Sequence, residues 1–240
     1  MLENVQLQDV LVLDIETVSQ QAQFADLDAD WQELWAKKSA HLQHADDNPA
    51  LMYDRAAIYA EFGKIICIGL GIYHLIDGQV HLKVKTIHGH DEKALLLEFA
   101  ELLNKHFNQT EKHKLLAHNG KEFDFPYLSR RVLINGIALP KILDTAGKKP
   151  WEIQHLDTME LWKFGDYKSY TSLNVLAKCF GIPSPKEDLD GSLVGPIYWQ
   201  NKDLERIANY CKKDIITTAQ IFMKYKQMEV IPESLIKISE

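Results

Sequence analysis

The chain has 240 residues, of which 46% are apolar and 25% are charged. This composition is that of a globular protein and excludes a disordered or low-complexity chain, and the length is typical of one large domain. The 27 Lys and Arg against 34 Asp and Glu give a net charge of −7, which excludes a uniformly basic nucleic-acid-binding surface. A local basic rim around an acidic site is compatible with this balance.

The cysteine content and the lack of an export signal indicate a reducing compartment. Cys67, Cys179 and Cys211 lie far apart in the sequence, and an odd, sparse set argues against a disulfide scaffold. The N-terminus lacks a basic segment followed by an apolar stretch, and no apolar run approaches the roughly 18 residues that a membrane helix needs. The sequence therefore predicts a soluble cytoplasmic protein without membrane association.

Three strands are predicted in the first part of the chain. Val10–Leu13 is a short β-branched run, and Ile65–Tyr73 is a longer one rich in β-branched and aromatic residues. The dipeptide Asp77, Gly78 is typical of a two-residue hairpin turn and leads into the alternating strand Val80–Ile87. The pattern predicts that these strands are antiparallel.

The other segments predict mainly helices. Residues 19–62 are interpreted as a polar helical insertion and residues 183–200, which hold several Pro and Gly, as a long loop. Helices are predicted after Asp91, at Phe125–Asn135, after Asp157, at Ser172–Phe180 and at Asp203–Tyr225, and a short strand at Lys114–Ala117. The sequence thus predicts one mixed α/β domain over residues 1–240.

The first group of acidic residues follows the first strand. Asp14 and Glu16 are two residues apart, so in an extended chain both side chains point to the same face. Two carboxylates on one face repel each other unless a cation lies between them, and Mg²⁺ and Mn²⁺ prefer oxygen ligands. A metal site is one interpretation of this pair, and a solvated strand end is the other.

Two further acidic residues, Asp124 and Asp214, can also be interpreted either as metal ligands or as structural residues. Asp124 closely precedes Pro126 and is either a metal ligand or the N-cap of the helix that follows. Tyr210 and Asp214 are four residues apart on the longest predicted helix, so they share a face at the edge of its apolar stripe. A Tyr–Asp hydrogen bond or a surface pair with a neighbouring Lys would also explain them.

Taken together, the three patterns are more specific. D-x-E on the first strand, N-x-x-x-F-D after a later strand and Y-x-x-x-D in the last helix resemble the motifs of the DEDD superfamily of 3′–5′ exonucleases. The chain is similar in particular to the exonuclease domain of family B DNA polymerases, over a core of about residues 8–226. Tyr210 indicates the tyrosine subclass (DEDDy), because the other subclass carries a His where this chain has Asn209. The resemblance implies an RNase H-like fold: a mixed sheet with its first three strands antiparallel, flanked by helices.

The resemblance also implies a set of roles. Asp14, Glu16, Asp124 and Asp214 would hold two Mg²⁺ or Mn²⁺ ions, with Asp14 between the two. Glu16 and Asp214 would complete the ion that holds the attacking water, which Tyr210 would orient, and Asp124 would serve the ion on the leaving-group side. The implied reaction is hydrolysis of the last phosphodiester, which releases a nucleoside 5′-monophosphate, and two cations would offset the charge that builds up on the reacting oxygens.

Five residues are expected to contact the substrate. Asn119 matches the family's second motif and is expected near the 3′-terminal nucleotide, and Thr17 is expected to line the same pocket. Phe123 could stack on a base, although packing in the core explains it as well. Arg130 and Arg131 follow Asp124 on the same helix and could hold phosphates, or they could form a solvated face.

Two other residues near these motifs are given structural roles. His118 is interpreted as a hydrogen-bonded structural histidine. Asp157, with Glu160 three residues later, is interpreted as a capping box at the start of a helix.

The expected function is a free-standing exonuclease acting on single-stranded 3′ ends, with DNA favoured over RNA, because the chain ends soon after Asp214. Repair, end trimming or RNA turnover would then replace proofreading within one chain, and a polymerase or a repair complex would be a partner. One alternative is an oligoribonuclease-like enzyme acting on short RNA. Another is a non-catalytic module that binds nucleic acid or a polymerase. A metal phosphohydrolase of small nucleotides fits Asn119 and Tyr210 less well.

Overall fold

A six-stranded mixed β-sheet lies at the centre of the protein. The structure is a computed structural model and describes residues 2–42, 48–166, 170–183 and 189–239. The strands are β1 Val10–Ser19, β2 Gly63–Ile76, β3 Gln79–His88, β4 Lys114–Ala117, β5 Leu156–Asp157 and β6 Ile236–Ile238. The helices are α1 Ala29–Ser39, α2 Glu92–His106, α3 Asp124–Ile134, α4 Thr158–Lys163, α5 Leu173–Cys179, α6 Val194–Pro196 and α7 Leu204–Tyr225.

The strand order is β5-β4-β1-β2-β3-β6. β1 pairs antiparallel with β2 and parallel with β4, and β2 pairs antiparallel with β3. The predicted hairpin turn is confirmed: Asp77 and Gly78 have φ values of 49° and 77°, as a tight turn of the primed type requires. The predicted architecture, a mixed sheet with three antiparallel strands first, is therefore confirmed.

Helices cover both faces of the sheet. Leu13 and Ile15 of β1 pack with Phe99 of α2 on one face, which α3 also covers. Val12 packs with Ile215 of α7 on the opposite face. Because successive side chains of a strand alternate between faces, both faces of β1 are buried, as expected for a strand in the middle of a sheet.

Two predicted boundaries are wrong. β1 does not end after Leu13 but continues to Ser19, because β2 supplies a pairing partner along this whole stretch. The predicted loop 183–200 is helical over much of its length: Gly191–Leu193, α6 and the π-helical turn Ile197–Asn201 follow one another. Apolar side chains of this segment are buried against β1 and β2, which favours helical turns despite the local Pro and Gly. Residues 184–188 lie outside the described part of the chain.

The predicted insertion between β1 and β2 has a small apolar core of its own. It contains α1 and several 3-10 turns, among them Tyr53–Ile58, and residues 43–47 lie outside the description. Trp35 is fully buried and contacts Phe62 and Tyr53 edge to face. The aromatic residues therefore hold the insertion together as a packed unit. None of the described helices combines the length and the apolar character needed to cross a membrane.

Candidate active site

The second half of β1 carries two carboxylates on the face covered by α7. Asp14 and Glu16 continue the alternation of Val12, and they pair across the sheet with Gly69 and Cys67 of β2. The register then shifts by one residue between Glu16 and Thr17, so that β2 has an irregularity directly beside Glu16. Bulges of this kind often lie next to functional sites, where they redirect side chains.

α7 approaches β2 closely at this position. A Cβ atom added at Gly69 would lie 2.6 Å from Sγ of Cys211 and 2.7 Å from Cγ1 of Ile215. The absence of a side chain at Gly69 therefore lets α7 pack directly on the strand, and the Cys211 thiol donates to Oδ2 of Asp14 at 3.3 Å. Tyr210 and Asp214 lie on the same stretch of α7, which carries them to the two carboxylates of β1.

Asp124 reaches the site from the start of α3, the helix that follows β4. It is the first residue of α3 and not the N-cap, which is Phe123, so the capping alternative for Asp124 is wrong. Its Oδ1 instead accepts a hydrogen bond of 3.0 Å from the backbone N–H of Ile15. β4 pairs with β1 only from Val10 to Val12, so Ile15 lies beyond the end of β4 and Asp124 supplies the missing acceptor.

Burial and mutual repulsion raise the pKa values of these carboxylates. Burial, and next the charges of Asp124 and Asp214, raise the pKa of Asp14 well above its ordinary value. Burial and the charge of Asp14 raise the pKa of Glu16 in the same way. Burial raises the pKa of Asp124 to about 7, although the hydrogen bond from Ile15 acts in the opposite direction. The site therefore concentrates negative charge in a place with little water.

Tyr210 borders this group of carboxylates. Burial raises the pKa of its phenol, and the charges of Asp214, Glu16 and Asp14 raise it further. Its hydroxyl is hydrogen-bonded to Asp214, as one of the sequence alternatives expected. At neutral pH Tyr210 is therefore an uncharged phenol that can donate or accept a hydrogen bond beside the carboxylates.

The donor set fits a divalent cation. Ligand atoms of Asp14, Glu16 and Cys211 all lie within 4.8 Å of one another. In the described part of the chain, no Lys or Arg forms an ion pair with Asp14, Glu16 or Asp124. A cation would relieve both the repulsion and the cost of burial, and oxygen ligands of this kind suit Mg²⁺ and Mn²⁺.

Asp157 organises the loop that follows β4, a role that the sequence analysis missed. It is the N-cap of α4, as predicted, and accepts from the backbone N–H of Met159 at 2.9 Å. The predicted capping box with Glu160 is wrong, because the Glu160 carboxylate forms an ion pair with Lys121 at 2.6 Å instead. The Asp157 carboxylate also accepts from the backbone N–H groups of Asn119 at 2.9 Å and Lys121 at 3.1 Å. The capping pattern is a local signal, whereas these two bonds join segments almost forty residues apart.

This loop contains His118 and Asn119, which lie between β4 and Asp124 in the chain. The His118 ring is hydrogen-bonded on both sides, to Oγ1 of Thr158 at 2.9 Å and to the carbonyl of Thr171 at 3.0 Å, which agrees with a structural histidine. Asn119 has φ 64°, and its Oδ1 is buried with no hydrogen-bond partner among the described residues. Thr17 and Phe123 are half-buried, Thr17 hydrogen-bonded to the carbonyl of Ala57 and Phe123 packed against the core.

The two arginines expected to hold phosphates differ in exposure and in hydrogen bonding. Arg130 is exposed on α3. Arg131 is buried and forms an ion pair with Glu92, with Nε–Oε1 and Nη2–Oε2 distances of 2.8 and 2.5 Å. Its Nη1 donates to the carbonyl of Ala60. The prediction that Arg131 contacts substrate is therefore wrong, because a buried ion pair already uses its guanidinium group.

Much of this chain matches a known protein family, and part of it matches a DNA polymerase. A family model described as "Predicted 3'-5' exonuclease related to the exonuclease domain of PolB" matches residues 58–233, which include Asp124, Tyr210 and Asp214. The chain is 23% identical over 151 residues to a DNA polymerase of Pyrococcus glycovorans, and the match covers 58% of this chain and 19% of the polymerase.

The family B DNA polymerase of the hyperthermophilic archaeon Pyrobaculum calidifontis has a similar structure. The TM-score is 0.55 at 13% sequence identity, and the match covers 91% of this chain and 24% of that chain. At this identity the likeness shows the fold alone, and it confirms the RNase H-like fold. The chain spans only about a fifth to a quarter of the length of the polymerases that it matches. Because the family model covers well over half of its length, the chain belongs to the family of predicted 3′–5′ exonucleases related to the exonuclease domain of PolB.

Proposed function

We propose that the protein is a metal-dependent 3′–5′ exonuclease of the tyrosine subclass. Its substrate is single-stranded nucleic acid, with DNA favoured, and its product is a nucleoside 5′-monophosphate. The observation that carries the proposal is the group of Asp14, Glu16 and Cys211, whose ligand atoms lie within 4.8 Å of one another, with Asp124 bonded to the N–H of Ile15 between the two carboxylates of β1. Such a concentration of carboxylates, with Glu16 and Asp124 buried and Asp14 and Asp214 half-buried, is costly for folding and is explained by a need to bind cations.

The four carboxylates would hold two divalent ions. Two such ions, when bound, stabilise the charge that develops on the attacking and leaving oxygens of a phosphodiester. Asp14 and Glu16 come from one strand, whereas Asp124 and Asp214 come from two helices on opposite faces of the sheet. Because these elements are anchored in the core, the ligands are held in place before substrate arrives.

Tyr210 would orient the attacking water through its hydroxyl. The raised pKa keeps the phenol protonated, so it acts through hydrogen bonds and not as a base. Asn119 and Thr17 are proposed to contact the 3′-terminal nucleotide, and Phe123 to contact its base. Arg130 is proposed to contact phosphates further along the strand, because it is exposed on the helix that begins with Asp124.

The preference for DNA and the choice of partner are supported by the similar proteins. The matched proteins are DNA polymerases, one of them a family B enzyme. We therefore propose that the chain trims DNA ends in a repair or polymerase-associated setting. Action on short RNA stays an alternative outcome of the experiment below.

The experiment uses 5′-labelled single-stranded DNA and RNA oligonucleotides of several lengths, with Mg²⁺, Mn²⁺ or EDTA. The expected result is a ladder of one-nucleotide steps that requires metal and is faster on DNA. Asp14→Asn is expected to abolish it while the protein stays folded. The matched control is Glu98→Gln, which changes an exposed carboxylate on α2 that pairs with Lys85 and should leave the rate unchanged.

Each other result has a distinct meaning. Normal activity in Asp14→Asn would contradict the site assignment. Cleavage confined to very short RNA would favour the oligoribonuclease-like alternative. Metal-dependent binding without cleavage on any substrate would contradict the enzyme proposal and favour a binding module.

A further inference from the structure

A single backbone carbonyl joins three segments next to the carboxylate site. The carbonyl of Ala57, in the 3-10 turn Tyr53–Ile58, accepts a hydrogen bond of 2.9 Å from Oγ1 of Thr17. It also accepts a hydrogen bond of 2.9 Å from Oη of Tyr127. Thr17 directly follows Glu16 on β1, and Tyr127 lies in the first turn of α3. The insertion is thereby tied to two of the three elements that carry the proposed metal carboxylates, β1 and α3.

The Tyr127 hydroxyl is held tightly in this position. The side chain is 1% exposed, so it has no surface to offer to a substrate. A Cβ atom added at Gly63 would lie 2.3 Å from Oη of Tyr127, which shows that the hydroxyl fills the space above this glycine. Burial raises the pKa of Tyr127, so the phenol is protonated and donates its hydrogen to the carbonyl.

Tyr127 follows Asp124 by three residues on α3. Residues at this spacing lie on neighbouring positions of one helix face, so a shift of the Tyr127 side chain moves the first helical turn as a unit. That turn presents the Asp124 carboxylate to the N–H of Ile15. The hydrogen bond of Tyr127 therefore ties the start of α3 to the Ala57 carbonyl, which Thr17 of β1 also contacts, and that of Asp124 ties it to the N–H of Ile15 on β1.

From this geometry we propose that Tyr127 is a positioning residue for Asp124, acting through the Ala57 carbonyl. The inference rests on the proposed function, because it assigns Asp124 a place in the metal site. The insertion between β1 and β2 thereby has a part in the site: its 3-10 turn fixes the distance between α3 and the end of β1. Loss of the hydroxyl leaves every metal ligand present but lets Asp124 move relative to Asp14.

The test compares Tyr127→Phe with a matched control. Tyr73 is also 1% exposed, and its hydroxyl donates to a backbone carbonyl, that of Ala219 in α7, at 3.0 Å. Tyr73→Phe therefore removes an equivalent buried hydrogen bond that involves neither α3 nor the insertion. Both variants should lose a similar, modest amount of thermal stability, because each loses one such bond.

Two readouts separate positioning from general destabilisation. In Tyr127→Phe, kcat on the labelled oligonucleotide should fall by about tenfold or more, with KM little changed. The Mn²⁺ concentration for half-saturation, measured by electron paramagnetic resonance without substrate, should rise about tenfold. In Tyr73→Phe both quantities should equal those of the wild type. Gly63→Ala, whose Cβ would lie 2.3 Å from the same hydroxyl and 3.0 Å from the Ala57 carbonyl, should also lower Mn²⁺ affinity.

The results distinguish the two proposals. If the wild type does not cleave nucleic acid, the proposed function fails, and the Mn²⁺ titration still decides whether Tyr127 shapes the metal site. Equal Mn²⁺ affinity and equal kcat in Tyr127→Phe and Tyr73→Phe would overturn the positioning role. A change in KM alone would also overturn it, because it would indicate a contribution to substrate binding.

Discussion

The backbone N–H of Ile15 donates to the Asp124 carboxylate at 3.0 Å, although the two residues are 109 positions apart in the sequence. β1 extends beyond its neighbour β4, and this bond satisfies an amide that has no strand partner. The Asp124 carboxylate thus supplies an acceptor to the part of β1 that extends beyond β4, and it also lies beside Asp14. Asp124 therefore has a structural role as well as a proposed catalytic one, so its protonation affects the stability of the fold.

The stability of the metal-free protein should depend on pH. Folding raises the pKa of Asp124 to about 7, above the ordinary value of 3.8, so the folded state binds a proton that the unfolded state releases. The stabilising contribution of this group is complete below the unfolded-state pKa and is lost as pH rises through about 7. Burial shifts the pKa values of Asp14 and Glu16 in the same direction.

Urea unfolding in EDTA and in Mg²⁺ checks this prediction. In EDTA the free energy of unfolding should fall as pH rises from about 4 to about 7, the interval between the unfolded-state and folded-state pKa values of Asp124. The gain from Mg²⁺ should grow over the same range, because carboxylates bind metal after losing their protons. Asp124→Asn should flatten the EDTA curve. A gain from Mg²⁺ that does not change with pH would contradict the assignment of these carboxylates as ligands.

Tyr210→Phe should slow turnover by about a hundredfold and leave Mn²⁺ affinity nearly unchanged, because the phenol acts on water and is not a ligand. Single-turnover cleavage and a Mn²⁺ titration measure the two effects. Tyr225→Phe is a suitable control, because Tyr225 lies at the other end of α7 and donates its hydroxyl to the carbonyl of Thr158. Loss of metal binding in Tyr210→Phe would mean that the role given to this residue is wrong.

Gly69→Ala should weaken metal binding through a displacement of α7. The new Cβ would lie 2.6 Å from Sγ of Cys211, so α7 must move away from the strand and carry Asp214 away from Asp14. We expect a loss of about 1–3 kcal/mol in the free energy of unfolding, as for other overpacked cores. Gly89→Ala, where a Cβ meets no atom within 4 Å, is the control. Unchanged stability and Mn²⁺ affinity in Gly69→Ala would show that the close packing is not required.

Arg131→Met should act on stability and not on substrate binding. Removal of one partner of a buried ion pair typically costs about 3–5 kcal/mol, because the other charge, here that of Glu92, stays buried and unpaired. Arg130→Met changes an exposed residue and should leave the free energy of unfolding within about 0.5 kcal/mol of the wild type. Chemical denaturation and oligonucleotide affinity are measured for both. An Arg131→Met protein of normal stability that binds oligonucleotide poorly would contradict the structural role of Arg131 and favour a contact with substrate.

Several elements could be predicted because their signals are local. Asp91 and Asp203 cap α2 and α7 by accepting from a backbone N–H three residues later, a relation set by helix geometry. The two-residue spacing of Asp14 and Glu16 fixes their common face in any extended strand. β6 was not predicted, because three residues at an edge owe their strand conformation to pairing with β3.

The sequence by itself determined the hairpin turn, the principal strands and helices, and which acidic residues are candidate metal ligands, because these depend on spacings of a few residues. Only the tertiary structure decided that Arg131 pairs with Glu92, that Asp124 accepts from Ile15 and does not cap its helix, and that Asp157 holds the Asn119 loop. Each of these joins segments about forty or more residues apart. Burial decides them: a polar group removed from water must find a partner, and folding alone determines which partner lies within reach.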